Sequence, residues 1–154
     1  MTAKKLVASG LLLFAAASVV VLVGREVRAP TADDAARMTE QLPDNGLVVY
    51  YFHGDTRCHT CRNIEGYAYE AVQAAFADEL AEDQLQWKVV NYEQPENSHF
   101  VTEYDIVAPT VVLVRTANRE RAEWRNLDRV WELVDDHGGF TEYVQSEARS
   151  MLGL

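Results

Sequence analysis

An unbroken apolar run, Leu47 to Phe52 (LVVYYF), ends six positions before the first of two cysteines, Cys58 and Cys61, and there the apolar period turns helical. A short run rich in β-branched and aromatic residues suits a strand buried on both faces. From Arg57 to about Leu80, the residues Cys61, Ile64, Ala68, Ala71, Val72, Ala75, Phe76 and Leu80 form one stripe, which predicts a long helix opening at the cysteines. Leu85 to Tyr92 (LQWKVVNY) reads as the next strand. Two strands joined by a helical crossover are parallel, and this restricts the chain to α/β architectures.

The flanking segments fit the same pattern. Thr31 to Leu42 opens with a cap-type residue and early acids and carries Ala35, Met38 and Leu42 at helical spacing, so a short helix is expected, followed by a turn at Pro43-Asp44-Asn45-Gly46. Pro95-Glu96-Asn97 leads into a short helix with Phe100, Val101 and Tyr104. Thr110 to Arg115, a turn at Ala117-Asn118, and Glu120 to Arg125 read as an antiparallel hairpin. Two closing helices, Asp128 to Asp136 and Phe140 to Leu152, are expected to be separated by a break at His137-Gly138-Gly139. The expectation is a mixed sheet in an α/β sandwich.

Ahead of this domain, Leu6 to Val23 is an uncharged run of 18 residues. As a helix it spans about 27 Å, close to the thickness of a bilayer's hydrocarbon core. A cleaved signal normally has a shorter apolar core and an uncharged cleavage region. Here Arg25, Glu26 and Arg28 follow at once, and Pro30 stands just after the small-residue pattern Val27-x-Ala29. We therefore read residues 1–25 as a retained anchor, 26–30 as a linker and 31–154 as the domain. The excess of positive charge before the run is thin, and it favours a single pass of the inner membrane with the C-terminal domain on the periplasmic or extracellular side.

The net charge is −10, yet Lys4, Lys5 and Arg25 make the first 25 residues +3, so the domain side is strongly acidic. An acidic surface repels phosphate backbones, and no basic cluster with interleaved aromatics occurs, which excludes nucleic acid as an expected partner.

The two cysteines are the only ones in the chain. A disulfide between them closes a very small ring and constrains the unfolded state weakly, which makes a purely structural staple a poor reading. A closed zinc site needs four ligands, and there is no second CxxC or His-x3-His to complete one. At a helix start, free backbone N–H groups and the helix dipole favour a thiolate, so Cys58 is expected in the first helical turn as the nucleophile, with Arg57 and His59 adding positive charge. Cys61, one turn on and on the apolar stripe, is suited to resolve a mixed disulfide. Two alternatives remain open. One is a soft-metal carrier of the copper kind using His53, Cys58, His59 and Cys61. The other is a non-catalytic subunit of a redox complex that uses the acidic domain for docking.

The segment Val48 to Phe76, followed by Ala108-Pro109-Thr110 before a strand, resembles the thioredoxin superfamily. The resemblance covers about Thr31 to Leu152 and implies a thioredoxin-like three-layer sandwich. It implies a cis Pro109 facing the CxxC, with Ala108 and Pro109 helping to dock a substrate chain, and a redox partner protein. A separate first strand ahead of the first helix is not evident in the sequence. Arg57 stands where a Trp usually precedes the first cysteine, and Phe52 where a buried acid would be. His53 or Asp55 is then a candidate proton acceptor, and Arg57, His59 and His53 are read as tuning the pair.

More narrowly, YYFHGDTRCHTCRNIE, NYEQPENSHFVTEYDI and NLDRVWELV are similar to the small membrane-anchored nitrophenyl compound nitroreductase subunit (ArsF-type) family, which implies a subunit of a redox complex. Nothing resembles a flavin or nicotinamide site, so no cofactor is expected. Trp87, Trp124 and Trp131 read as packing residues, Tyr50, Tyr51, Tyr67 and Tyr69 flank the motif without a pattern that separates ligand contact from packing, and Asp135-Asp136-His137 reads as a solvated helix end.

Overall fold

The computed structural model describes residues 41–154. The expected anchor (1–25), the linker (26–30) and most of the helix expected over Thr31 to Leu42 lie outside the described residues; Gln41 and Leu42 are not helical. No helix among the described residues is long and apolar enough to cross a membrane.

Strand β1, Asn45–His53, is central to a four-stranded mixed sheet in the order β2-β1-β3-β4, where β2 is Leu85–Asn91, β3 is Thr110–Ala117 and β4 is Glu120–Asn126. β1 is parallel to β2 and antiparallel to β3, and β3 pairs antiparallel with β4. The apolar run of β1 is buried on both faces as its composition demanded. Leu47, Val49 and Tyr51 point into one core with residues of helices α1 (His59–Ala75) and α5 (His137–Leu152). Val48, Tyr50 and Phe52 point into a second core with Phe100 and Tyr104, at and just past helix α3 (His99–Glu103), and with Ile106 beyond it. Helical layers on both faces of the sheet make the expected three-layer sandwich.

Three boundaries differ from the sequence reading, each for a local reason. The helix expected from Arg57 to Leu80 is broken at Phe76, which takes φ −134° and ψ 35° before a short helix α2, Ala77–Ala81. Phe76 is buried, with the Arg149 guanidinium 5.6 Å from its ring centroid. No Gly or Pro marks the break, and α2 keeps the helical spacing, so periodicity alone runs through it.

The second difference is at the C-terminus. Helix α4 covers only Val130–Leu133, and the expected break at His137-Gly138-Gly139 is the first turn of α5. Asp136 is the N-cap, its carboxylate accepting the Gly139 N–H at 3.0 Å. A Cβ on Gly139 would run into that carboxylate, so the glycine makes room for the cap instead of ending a helix. The third difference is the hairpin turn, which falls on Asn118 and Arg119, both with positive φ (54° and 63°). Two left-handed residues match the right-handed twist of the flanking strands. Arg119 is held there by Asp44, whose carbonyl accepts the Arg119 N–H at 3.0 Å and whose carboxylate pairs with the guanidinium.

The register brings the site together. Phe52 of β1 pairs with Thr110 of β3, and His53 with Asn91 of β2. The loop from β1 to the cysteines and the Pro109 residue ahead of β3 therefore emerge at the same edge of the sheet.

Candidate functional site

Cys58 and Cys61 form a disulfide at the head of α1, with an S–S distance of 2.08 Å and Cα atoms 5.0 Å apart. Cys58 is the N-cap residue and not, as expected, part of the first turn: its backbone is extended (φ −67°, ψ 164°), and its sulfur accepts the Cys61 N–H at 3.0 Å. An N-cap side chain occupies the place where the unpaired N–H groups of a helix converge. At this position a negative charge on the sulfur would face the same donors and the positive end of the helix dipole. Exposure separates the two sulfurs: Cys58 is open to solvent, whereas Cys61 is 4% exposed.

The tuning candidates do not converge on the sulfurs as a group. Arg57 turns its guanidinium onto Glu65, four residues past Cys61, instead of leaving the charge open beside Cys58. The Arg57 carbonyl accepts Arg62 Nη2 at 3.0 Å. His59 is exposed, with Asn63 Nδ2 donating to its Nδ1 at 3.4 Å. His53 donates from Nδ1 to the Gly54 carbonyl at 2.8 Å, and its ring stacks on Tyr51 with centroids 6.1 Å apart.

Asp55 is bonded to residues at the end of β2. Its Oδ1 accepts from Asn91 Nδ2 at 2.7 Å and Gln94 Nε2 at 3.3 Å, while its N–H donates to Glu93 Oε2 at 2.9 Å. Asp55 therefore pins the loop to the end of β2. Phe52, at the position of the absent acid, points into the second core, against Tyr50, Phe100 and Tyr104. Among the described residues no three His, Cys, Asp or Glu side chains are grouped to hold a metal ion, so the soft-metal set does not assemble in this oxidised form.

Pro109 opens β3 at the site's edge, beside Val107, which is 98% exposed. The cis geometry implied by the resemblance is not found: every described peptide bond is trans, Ala108–Pro109 included. Trans is the form that an X–Pro amide itself prefers, by about 0.5–1 kcal/mol. The Pro109 carbonyl accepts Trp131 Nε1–H at 2.8 Å, so this tryptophan, read from the sequence as packing alone, fixes the loop.

For Tyr51, whose role the sequence leaves open between contact and packing, the structure shows both. It is fully buried on the face toward α1, and its hydroxyl donates to the Cys61 carbonyl at 2.6 Å. Burial, with a contribution from the Glu65 carboxylate that outweighs the opposing one from Arg57, pushes its pKa from 10.0 up to about 12. A polar-tipped aromatic in an otherwise apolar strand was the available signal, since a buried tyrosine hydroxyl usually finds a partner.

The larger clefts lie elsewhere. One of about 830 Å³ follows the outer face of α5, and one of about 890 Å³ lies at the Asn45 end of β1, opposite to the cysteines. The reactive feature is an accessible sulfur at the surface.

No family model and no curated protein matches the chain. Among solved structures, the chain is similar to the first two thioredoxin domains of Naumovozyma dairenensis Eps1p, with 18% identity over 73% of this chain and a TM-score of 0.44. The match covers only 38% of that chain, so this protein corresponds to a minor part of it. It is also similar to Fasciola hepatica thioredoxin, with 21% identity, a TM-score of 0.40, and coverage of 70% of this chain and 95% of that one. A strand buried on both faces, a CxxC disulfide capping the helix that follows it, a parallel crossover, and a proline just ahead of the antiparallel strand together make this chain an α/β sandwich with a mixed four-stranded sheet.

Proposed function

We propose that the protein is a membrane-anchored thiol-disulfide oxidoreductase that exchanges electrons with a partner protein's dithiol or disulfide through Cys58 and Cys61. The observation that carries this reading is the asymmetry of the pair: an exposed sulfur at the N-cap of α1 bonded to a buried one.

The chemistry follows from that asymmetry. In the reduced form the Cys58 thiolate attacks one sulfur of a partner disulfide; the other partner sulfur leaves as a thiolate and takes up a proton. Cys61 then loses its proton and attacks Cys58 Sγ, which re-forms the Cys58–Cys61 disulfide and releases the second partner thiol. Run backwards, a partner thiolate attacks Cys58 Sγ, the only one of the two sulfurs open to it, and the partner leaves oxidised. Ala108 and Pro109, at the same edge of the sheet, supply the surface on which the partner chain lies.

The sequence supports the remaining features of the proposal. The apolar run Leu6 to Val23 serves as a single-pass anchor in the inner membrane, with the domain on the periplasmic or extracellular side, where a disulfide persists. The narrower similarity to the ArsF-type subunits fits a protein that works beside a larger redox complex, with a subunit of that complex as its partner.

Equilibrating the protein in glutathione buffers and counting alkylated thiols by mass tests the central claim, which requires a reversible two-thiol transition. Cys58→Ser should abolish exchange with a disulfide substrate, and Cys61→Ser should trap a mixed disulfide. Unchanged disulfide reduction by the Cys58→Ser variant removes the proposal. Retention in membranes after carbonate washing tests the anchor; release at reduced mass overturns it.

A further inference from the structure

The backbone of Cys61 is held from two directions. Its N–H donates to Cys58 Sγ at 3.0 Å, and its carbonyl accepts the hydroxyl of Tyr51 at 2.6 Å. Tyr51 is itself held by the sheet. It stands near the C-terminal end of β1, paired to Val89 of β2 on one side and Val111 of β3 on the other, and is fully buried. One turn past Cys61 on the same helix lies Glu65, ion-paired to the Arg57 that precedes Cys58 and close enough to act on the Tyr51 hydroxyl. The turn that contains the CxxC is therefore tied to the sheet by a hydroxyl and to its own loop by an ion pair.

When the disulfide opens, two electrons from two glutathione thiols cleave the S–S bond and the thiols become glutathione disulfide; of their two protons one stays on Cys61 and the other passes to solvent, which leaves Cys58 as a thiolate. The covalent link that fixed the turn is then gone, while the charge on Cys58 still needs the Cys61 N–H. We propose that Tyr51 is the positioning residue of the dithiol form: its hydroxyl, anchored on the Cys61 carbonyl, keeps the first turn of α1 aimed at the Cys58 sulfur, with Glu65 as the opposing charge. The positive end of its O–H dipole points into the turn where the thiolate charge develops. Burial keeps this hydroxyl protonated far above neutral pH, so it remains a donor throughout the working range. The proposal rests on the thiol-disulfide reading above.

The test compares wild type with Tyr51→Phe in glutathione buffers and follows alkylation of Cys58 against pH. In the oxidised form the S–S bond still fixes the turn, so the loss falls on the dithiol form. The equilibrium constant for reduction should drop about three- to tenfold, the range expected for one hydrogen bond. Alkylation below pH 8 should slow in the same sense. Glu65→Gln removes the opposing charge and should move both readouts the other way. A purely structural tyrosine lowers the melting temperature of both redox forms equally and leaves the equilibrium and the pH profile unchanged; that result overturns the proposal. Should Tyr51→Phe not fold, amide hydrogen exchange of the wild type carries the test: the first turn of α1 should stay protected when the pair is reduced, and loss of that protection on reduction overturns the proposal. A wild type that fails to cycle overturns both readings, whereas a cycling wild type matched by Tyr51→Phe overturns this one only.

Discussion

Reducing the Cys58–Cys61 disulfide should change the stability of the domain only modestly, and the size of that change separates a redox pair from a structural staple. The bridge joins residues three apart in sequence. For a ring of about four residues, the loop-entropy relation gives roughly 2 kcal/mol of stabilisation, against about 3 kcal/mol for a 15-residue loop. Part of this returns on reduction. Cys58 keeps its N-cap place with the Cys61 N–H on its sulfur, and a charge there gains about 0.3–1 kcal/mol from the helix dipole. The reduced protein should therefore lie about 1–2 kcal/mol below the oxidised one, a drop in Tm of roughly 4–8 °C.

Urea unfolding of both forms, by far-UV circular dichroism at neutral pH, measures the difference, and equal m-values would show that the same surface is exposed in both transitions. By linkage, a difference of about 2 kcal/mol places the folded pair roughly 40 mV below the same cysteines in the unfolded chain. A loss above about 4 kcal/mol, or a reduced protein that is no longer folded, refutes this reasoning, because a bond of that worth to the fold cannot be opened in each cycle.

Three other perturbations have expected outcomes. Tyr51 has its pKa raised from 10.0 to about 12, so its contribution is complete below pH 10 and is lost as the pH rises from 10 toward 12. An alkaline loss of stability between pH 10 and 12 in wild type should be smaller in Tyr51→Phe; equal losses disprove the assignment. Asp136→Ala removes the cap on Gly139 and should cost about 0.5–2 kcal/mol in urea unfolding without altering the thiol-disulfide equilibrium. Gly46→Ala should be more damaging than an ordinary surface substitution, since the new Cβ meets the Gln84 carbonyl where β1 begins; wild-type Tm in that variant contradicts the packing.

Much of the fold was legible because the signals were local. The run from Leu47 to Phe52 had no polar gap, so burial on both faces followed from composition, and the change of period at Arg57 located the helix start to within two residues of His59. The elements that were misjudged lacked a local marker. Phe76 interrupts a helix without Gly or Pro, because the ring is drawn into the core beside Arg149. Gly138-Gly139 looked like a break, yet it is the opening of a helix whose cap needs the space of a missing side chain.

The division at the site is sharper. By itself the sequence determined which atoms can react, because a chain with two cysteines at this spacing before a helical stripe has one place for such chemistry, and the helix start orders the pair. Only the tertiary structure decided which other residues reach that place. Tyr51 touches Cys61 because β1 alternates its faces and α1 lies on the face of the odd-numbered residues; the same alternation sends Phe52 to the opposite core. Arg57 is matched to Glu65 by the turn geometry of the loop, Asp55 is drawn to the end of β2, and Trp131 arrives at Pro109 from a helix 22 residues away. Cysteine spacing is a property of the chain, whereas hydrogen-bond partners distant in sequence come together only once the sheet has set its register and the helices have covered its faces.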